Sequence, residues 1–295
     1  MNTMRAVRAH RRGGPEQLVH ETAPRPGPGD TAVAVRAAFI TTGELAWDAT
    51  WTDSSDGSRR ERTPVIRAHE VSGAVAEQGA GATAPALGAK VYGLIPFLRD
   101  GAAAEYVGAP AGTLVARPAR LDHRNAAAVP LAALTARQEL VDHAHLEPGQ
   151  HVLVHGGAGG VGSFAVQLAA ALGAKVTATA SARDTEFVAG LGAQNVIDYA
   201  GSRFEDHVAD ADVVFDTVGG DTQTRSRGLL RPGGVLVSIV APPDLGVAQD
   251  HAAHAVFFVI EPDRDAPDSI QTPAAYEALE KEHRRGKAVI HVADG

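Results

Sequence analysis

The chain has no cysteine in 295 residues. Disulfides, thiolate metal sites and cysteine nucleophiles are excluded at the outset. Nor is positive charge in excess: 27 Lys and Arg face 35 Asp and Glu, for a formal net charge of −8, which argues against a general nucleic-acid binder. An anionic ligand stays compatible with that balance, because a glycine turn and one or two arginines suffice to hold one. There is no run of 18 apolar residues and no basic-then-apolar leader, so the sequence predicts a cytoplasmic protein without a membrane anchor. Internal repeats and long low-complexity tracts are missing as well. The 13 histidines form no helical H-x-x-x-H pair, and His143 and His145, two apart, face different sides of a helix.

What is present fits a well-packed globule. Hydrophobic residues make up 44% and charged residues 21%, in a chain long enough for two domains. The first part is β-rich, with short strands predicted at 4–9, 18–21, 32–37, 71–76, 89–94 and 114–116, separated by Gly, Pro and Asp clusters. Residues 47–63, polar but for two Trp, read as a long surface loop. Ala126 to His143 is helical in composition, with Pro130 breaking or kinking it. Strands predicted at 151–155, 175–179, 195–198, 212–217, 235–239 and 255–260 then alternate with helical patterns, which signals a parallel sheet with helices on both faces. A last helix is predicted at 273–283 and a last strand at 288–292. The fold class is therefore α/β, a doubly wound parallel sheet of residues 121–264 joined to a β-rich domain of residues 1–120, to which the tail 265–295 returns.

The most informative stretch is His151-Val-Leu-Val-His155-Gly-Gly157-Ala158-Gly159-Gly160-Val161-Gly162. It places G-x-G-x-x-G directly after a strand, and apolar side chains at 161, 164, 165, 168 and 172 continue it as a helix. In such a unit the first glycine permits the tight turn, the second lets the backbone approach a pyrophosphate, and the third lets helix and strand pack closely. The helix N-terminus offers N–H groups and partial positive charge to the phosphates. An NAD-preferring unit carries Asp or Glu at the tip of its second strand. Here the tip reads Ala180-Ser181-Ala182-Arg183-Asp184, neutral and then basic, which favours the 2′-phosphate of NADPH. Ser181 and Asp184 also have capping-box spacing for the next helix, a reading compatible with phosphate binding.

Taken together, further segments resemble the medium-chain dehydrogenase/reductase superfamily, in its zinc-independent quinone oxidoreductase (zeta-crystallin-like) branch. They include Met4-Arg5-Ala6-Val7, Gly13-Gly14-Pro15-Glu16, His69-Glu70-Val71-Ser72-Gly73, Gly88-Ala89-Lys90-Val91-Tyr92-Gly93 and Ala104-Glu105-Tyr106-Val107. Later come Pro130-Leu131-Ala132-Ala133-Leu134-Thr135-Ala136, Leu191-Gly192-Ala193, Val196-Ile197-Asp198-Tyr199, Phe215-Asp216-Thr217-Val218-Gly219-Gly220, Leu230-Arg231-Pro232-Gly233-Gly234 and Arg285-Gly286-Lys287-Ala288-Val289. The resemblance implies a GroES-like substrate domain around a Rossmann domain, an active site in the cleft between them, and NADPH-driven hydride transfer to quinones or α,β-unsaturated carbonyls. It further implies that Thr135 lies under the nicotinamide end and that Gly157, Ala158, Gly159, Gly160 and Val161 form the pyrophosphate turn. Ser181, Arg183 and Tyr199 resemble the 2′-phosphate pocket. Val218, Val240, Phe257, Phe258 and Val259 resemble the contacts to nicotinamide ribose and carboxamide.

The positions that match the catalytic zinc ligands of relatives are Thr41, His69 and Leu131. A threonine and a leucine cannot serve there, because zinc needs three protein ligands and an open position. No metal is expected, and His69 reads as a hydrogen-bonded interdomain residue. Thr41 stands where this branch often has Asn and is the candidate catalytic donor to the substrate oxygen. Glu44, Trp47 and Trp51 follow on the same segment as candidate substrate-binding residues, with helix capping and cover over the β core as the structural alternatives. Between 261–264 and 276–280, relatives usually carry a helix and a strand; the shortening at 265–275 predicts a missing edge strand of the large sheet and an edge open to pairing, as in a homodimer. An NADPH-dependent reductase of a quinone or enone, in secondary-metabolite tailoring, leads. A non-redox cyclase or lyase on this fold and a non-catalytic NADPH-binding protein stay open.

Overall fold

A computed structural model describes residues 2–27, 30–41, 44–53, 60–82, 84–243, 253–260 and 288–292. They fall into two compact units, one running to Leu131 and the other from Ala132 to Ile260.

The first unit is built from antiparallel strands: β1 (Thr3–Ala9), β2 (Leu18–Pro24), β3 (Thr31–Ile40), β4 (Thr52–Asp53), β5 (Arg60–Glu61), β6 (Val65–Ile66), β7 (Glu70–Glu77), β8 (Lys90–Leu94), β9 (Tyr106–Ala109) and β10 (Leu114–Ala116). One sheet runs β2-β1-β6. A second runs β10-β8-β7-β3, with β9 also paired to β3. Their apolar faces meet over Met4, Val33, Val35, Ile66, Val71, Val91 and Ile95, all buried. The six strands read from the sequence here are all present. Val65–Ile66 and Tyr106–Ala109 are additions. The first is too short for alternation to be visible, and the second is rich in small residues whose strand state comes from pairing with β3. Of the surface loop expected at 47–63, residues 54–59 lie outside the described residues, and Asp48, Ala49, Arg60, Glu61 and Thr63 are exposed, while Thr50, Trp51 and Thr52 are buried. A 3-10 turn at Asp48–Trp51 leads into the β4–β5 hairpin, and Trp51 is 1% exposed beside Ala9 and Val65. The indole is buried together with its immediate neighbours Thr50 and Thr52.

The expected helix at 126–143 is three pieces. Helix α1 (His123–Ala127) is capped by Asp122, which accepts the Asn125 N–H at 2.7 Å. Helix α2 (Pro130–Arg137) begins with Pro130, where a missing N–H costs nothing. A π-helical segment, Gln138–His143, follows it directly, and His145 has left the helix with φ +49°.

In the second unit the parallel strands are β11 (His151–Val154), β12 (Lys175–Ala180), β13 (Asn195–Asp198), β14 (Ala211–Asp216), β15 (Leu230–Ser238) and β16 (His254–Phe257). Between them come helices α3 (Gly160–Ala171), α4 (Thr185–Gly190) and α5 (Gly220–Ser226). The order β13-β12-β11-β14-β15-β16 is that of a doubly wound nucleotide-binding sheet, reversing direction between β11 and β14. Among the described residues the sheet has six strands, the last of them β16, paired to β15; the edge strand expected to be missing would follow β16, outside the described residues. Near-continuous apolar runs such as Val213-Val214-Phe215 are what a strand covered on both faces requires. The last strand, β17 (Ala288–His291), pairs with β3, so the tail returns to the first unit. The predicted helix at 273–283 and the 265–275 segment lie outside the described residues. This architecture, a Rossmann sheet plus a GroES-like antiparallel unit, is the one expected.

Candidate functional site

At the sheet's reversal the chain leaves β11 and turns into α3. Gly156 takes the left-handed conformation, φ +72°, and a Cβ there would lie 2.7 Å from Thr217 Oγ1. The glycine that permits the tight turn is therefore Gly156, one residue before the position assigned to that role from the motif. Gly157 does something else: a Cβ on it would sit 2.9 Å from Ala178 Cβ and 3.1 Å from Val188 Cγ1, so its smallness lets the turn lie against β12 and α4. Gly162 has the packing role expected, since a Cβ would fall 2.1 Å from the Gly156 carbonyl oxygen. Gly159 is exposed and is the N-cap of α3, with no side chain capping the helix. Gly160 and Val161 open the helix with Ala158 just before them, all half-buried. The outcome is a side-chain-free surface backed by helix N–H groups, which fits a pyrophosphate.

Beside this turn, β12 and β13 pair with Ala180 opposite Asp198, and the Tyr199 N–H donates to the Ala180 carbonyl at 3.2 Å. That register brings Ser181 and Tyr199 to adjacent strand ends. Tyr199 is 63% exposed and the Arg183 side chain 86%. The Ser181 hydroxyl donates to the Asp184 carboxylate at 2.5 Å and caps no backbone N–H, so the capping box read from the spacing does not form. Arg183 Nε lies 3.5 Å from the same carboxylate, leaving its guanidinium out in solvent.

On the other side of the reversal stands Asp216, buried at the end of β14 and given no role by sequence reasoning. Its Oδ1 accepts the N–H groups of Val218 at 3.0 Å and Gly219 at 2.8 Å. Its Oδ2 accepts from Gln223 Nε2 at 3.1 Å and from the Ser238 hydroxyl at 2.9 Å. Ser238 Oγ in turn accepts the Val240 N–H at 3.2 Å. One carboxylate thus anchors the turns carrying both Val218 and Val240, which are 51% and 48% exposed at adjacent strand ends. The signal available in the sequence was an acid closing the apolar run Val213-Val214-Phe215, three residues before Gly219-Gly220. Phe257 ends β16, Val259 is exposed beyond it, and the Phe258 ring packs on His143 with centroids 4.5 Å apart. Thr135 is 4% exposed on α2. Beneath the turn His155 is wholly buried between Thr179 Oγ1 and Ser226 Oγ, against the Phe204 ring. Burial pulls its imidazole down to about 4, partly countered by Asp216.

The substrate-side candidates lie in the first unit. Thr41 is half-buried, and its hydroxyl is 3.5 Å from Glu70 Oε2. Glu70 Oε1 accepts the Leu131 N–H at 3.0 Å, at the start of α2. Glu44 is 2% exposed and is engaged below the surface: its Oε1 accepts the Ala68 N–H at 2.9 Å and meets His69 Nδ1 at 2.5 Å. Trp47 is half-buried, edge-on to Phe97 at 5.3 Å. Trp51 belongs to the core, its Nε1–H donating to the Leu45 carbonyl at 2.9 Å and the Arg67 guanidinium lying 4.0 Å over its ring. Burial drops the Arg67 guanidinium to about 10, with Glu44 opposing the fall. Of the four candidates, only Thr41 and Trp47 keep accessible surface.

Both His69 nitrogens are occupied, Nδ1 by Glu44 and Nε2 by the Arg99 carbonyl at 3.1 Å. With Thr41 and Leu131 as the other two residues, the three zinc-matching positions do not make a metal site. Among the described residues no group of three His, Asp or Glu is placed to hold a metal ion. Also among the described residues, no helix is long and apolar enough to cross a membrane.

A doubly wound sheet with a glycine-rich turn at its reversal fits a dinucleotide, and likeness to known proteins makes the chain an NAD(P)H-dependent oxidoreductase. The family profile described as zinc-binding dehydrogenase matches residues 160–253. The NAD(P)H oxidoreductase RTN4IP1, mitochondrial, of Danio rerio is 29% identical over 284 residues, covering 78% of this chain and 73% of that protein. The chloroplast envelope quinone oxidoreductase homolog of Arabidopsis thaliana is 36% identical over 196 residues, 63% of this chain but only 58% of the relative's length. The quinone oxidoreductase structure from Coxiella burnetii superposes with a TM-score of 0.85 at 28% identity, covering 99% of this chain and 100% of that one. By these likenesses the chain resembles the medium-chain dehydrogenase/reductase superfamily, in its quinone-oxidoreductase-like branch.

Proposed function

We propose that this protein reduces a quinone or an α,β-unsaturated carbonyl compound with NADPH, without a metal. The observation that carries the reading is the pairing of a side-chain-free turn at the sheet reversal with a solvent-facing Arg183 at the neighbouring strand tip. When bound, the nicotinamide supplies the hydride. The protein's part is to hold the dinucleotide and to stabilise charge on the substrate oxygen. Gly157 to Val161 receive the pyrophosphate, and Ser181, Arg183 and Tyr199 receive the 2′-phosphate. Val218 and Val240, on turns anchored by Asp216, flank the nicotinamide end, with Thr135, Phe257, Phe258 and Val259 as its further contacts. The Thr41 hydroxyl donates to the substrate oxygen, and Trp47 offers a flat apolar contact to the acceptor. Relatives named as quinone oxidoreductases support the acceptor class. The β16 edge makes a homodimer part of the reading, which light scattering tests.

Titrating the protein with NADPH and NADH tests the cofactor preference. Arg183→Ala should weaken NADPH about tenfold or more and leave NADH nearly unchanged; equal losses for both would remove the 2′-phosphate pocket. Following nicotinamide absorbance with a panel of quinones and enones tests the reaction. Oxidation that survives Thr41→Val undiminished would remove Thr41 from its role, and binding without oxidation of any acceptor would return the chain to the non-redox readings.

A further inference from the structure

The second unit holds a buried acid that the proposed reaction does not use. Glu139 lies in the π-helical segment Gln138–His143 that follows the Thr135 helix without a break. It is 0% exposed, and neither carboxyl oxygen has a hydrogen-bond partner among the described residues. The flanking side chains Ala136 and Leu140 are wholly buried and apolar. Departures from the i→i+4 ladder in α-helices are frequent at functional sites. An ionised carboxylate in this setting would be desolvated with nothing to compensate it, whereas the neutral acid is tolerated.

The charge that acts on Glu139 is that of Asp216, at the end of β14, and it disfavours ionisation. On Glu139's own segment Asp142 is paired with Arg137 at 2.6 Å, and His143 packs on Phe258. From β11, His155 feels Asp216 and is held neutral by burial. Glu139 therefore has one acidic neighbour and no cation among the groups acting on it. That neighbour anchors the turns of Val218, Gly219 and, through Ser238, Val240.

We propose that Glu139 is a positioning residue of the cofactor site: as a neutral acid behind Asp216 it leaves that carboxylate to hold the two strand-end turns, and giving up its proton to solvent loosens them. This rests on the reading that those turns flank the nicotinamide. Burial first, and Asp216 second, push the Glu139 carboxyl well above the usual carboxylate range. A folded-state value raised in this way means that stability and turn order are greatest at low pH. Stability declines as pH climbs from the ordinary carboxylate range to the raised value, and turn order declines as pH passes through the raised value.

The test uses the full chain as wild type, Glu139→Gln and Glu139→Leu. Affinities for NADPH and NADH are measured by nicotinamide fluorescence between about pH 6 and about pH 9, with melting temperatures in the same buffers without cofactor. NADH is included because it has no 2′-phosphate to titrate. Wild type should lose affinity for both cofactors by about tenfold or more toward alkaline pH, and both uncharged variants should hold the low-pH affinity throughout. A flat wild-type profile, or the same slope in the variants, overturns the proposal. If Glu139→Gln does not fold, Glu139→Leu carries the comparison. If no form binds either cofactor at any pH, the cofactor reading has failed instead. The melting profiles then decide for Glu139: a wild-type decline with pH that the variants lack supports its buried neutral state, and parallel profiles overturn it.

Discussion

In the antiparallel unit two acids are buried and each takes a backbone N–H, Glu44 from Ala68 and Glu70 from Leu131. In the parallel unit Asp216 takes two, and Glu139 takes none. The acids of the first unit hold joints of the chain, Glu44 the link between β6 and β7 and Glu70 the first turn of α2, so their loss should register chiefly as lost stability. Asp216 holds the turns that, in the function proposed above, flank the nicotinamide, so its loss should register as lost affinity. Burial is equal in the two cases. What differs is whether the N–H groups being held belong to a joint of the scaffold or to a surface that receives something.

The sharpest way to break this comparison is at the turn itself. Gly162→Ala places a methyl group on the Gly156 carbonyl, forcing β11 and α3 apart. We expect loss of measurable cofactor binding and a destabilisation of about 3 kcal/mol, read by fluorescence titration and calorimetry. Wild-type affinity in this variant would mean that helix and strand need not pack closely there. Glu44→Ala removes one member of a buried pair, leaving His69 Nδ1 and the Ala68 N–H without their acceptor. The expected cost is roughly 3 kcal/mol in chemical unfolding; a change under about 1 kcal/mol would show that His69 finds water instead.

His155 sharpens the comparison from the acid side. Unfolded, its imidazole takes a proton near 6.5; folded, burial delays this to about 4. Its contribution is therefore complete above pH 6.5 and is lost as pH falls toward 4, in total on the order of 3 kcal/mol. His155→Gln should flatten the melting profile over that range; a decline as steep as wild type would assign the acid sensitivity to other groups. The smallest expected effect is that of Asp216→Asn, which keeps the shape and one acceptor. It should weaken cofactor binding about tenfold, with stability less affected; the reverse order would erase the distinction between the two units.

The parallel unit was legible because its signals are local. Alternating apolar runs and a glycine-rich turn on a strand end specify it, and the sequence pattern predicts all six of its described strands. Roles within the turn were harder to read. Which glycine takes positive φ depends on Thr217 crossing above Gly156, a contact sixty residues away that no spacing encodes. The Ser181–Asp184 spacing suggested a cap, yet the hydroxyl turned to the carboxylate instead of the backbone. In the antiparallel unit the segment 44–51 misled for a related reason. Polar neighbours suggested a surface, while Trp51 and Glu44 find partners on β6 and just before β7, distant in sequence. Asp216 was visible as a residue but not as a hub, because its work is done across β15.

Ala68 adopts φ +68°, a left-handed geometry that suits glycine, and it does so fully buried between Arg67 and His69. The carbonyls on either side of that twist are also fixed, Arg67 O by the Ala103 N–H at 2.9 Å and Ala68 O by Ala102 at 2.6 Å. The imidazole beside it is thus mounted on a stiff, wound-up link that resists rotation in either direction. At this point the fold keeps a latch, with both imidazole nitrogens spent on Glu44 and the Arg99 carbonyl.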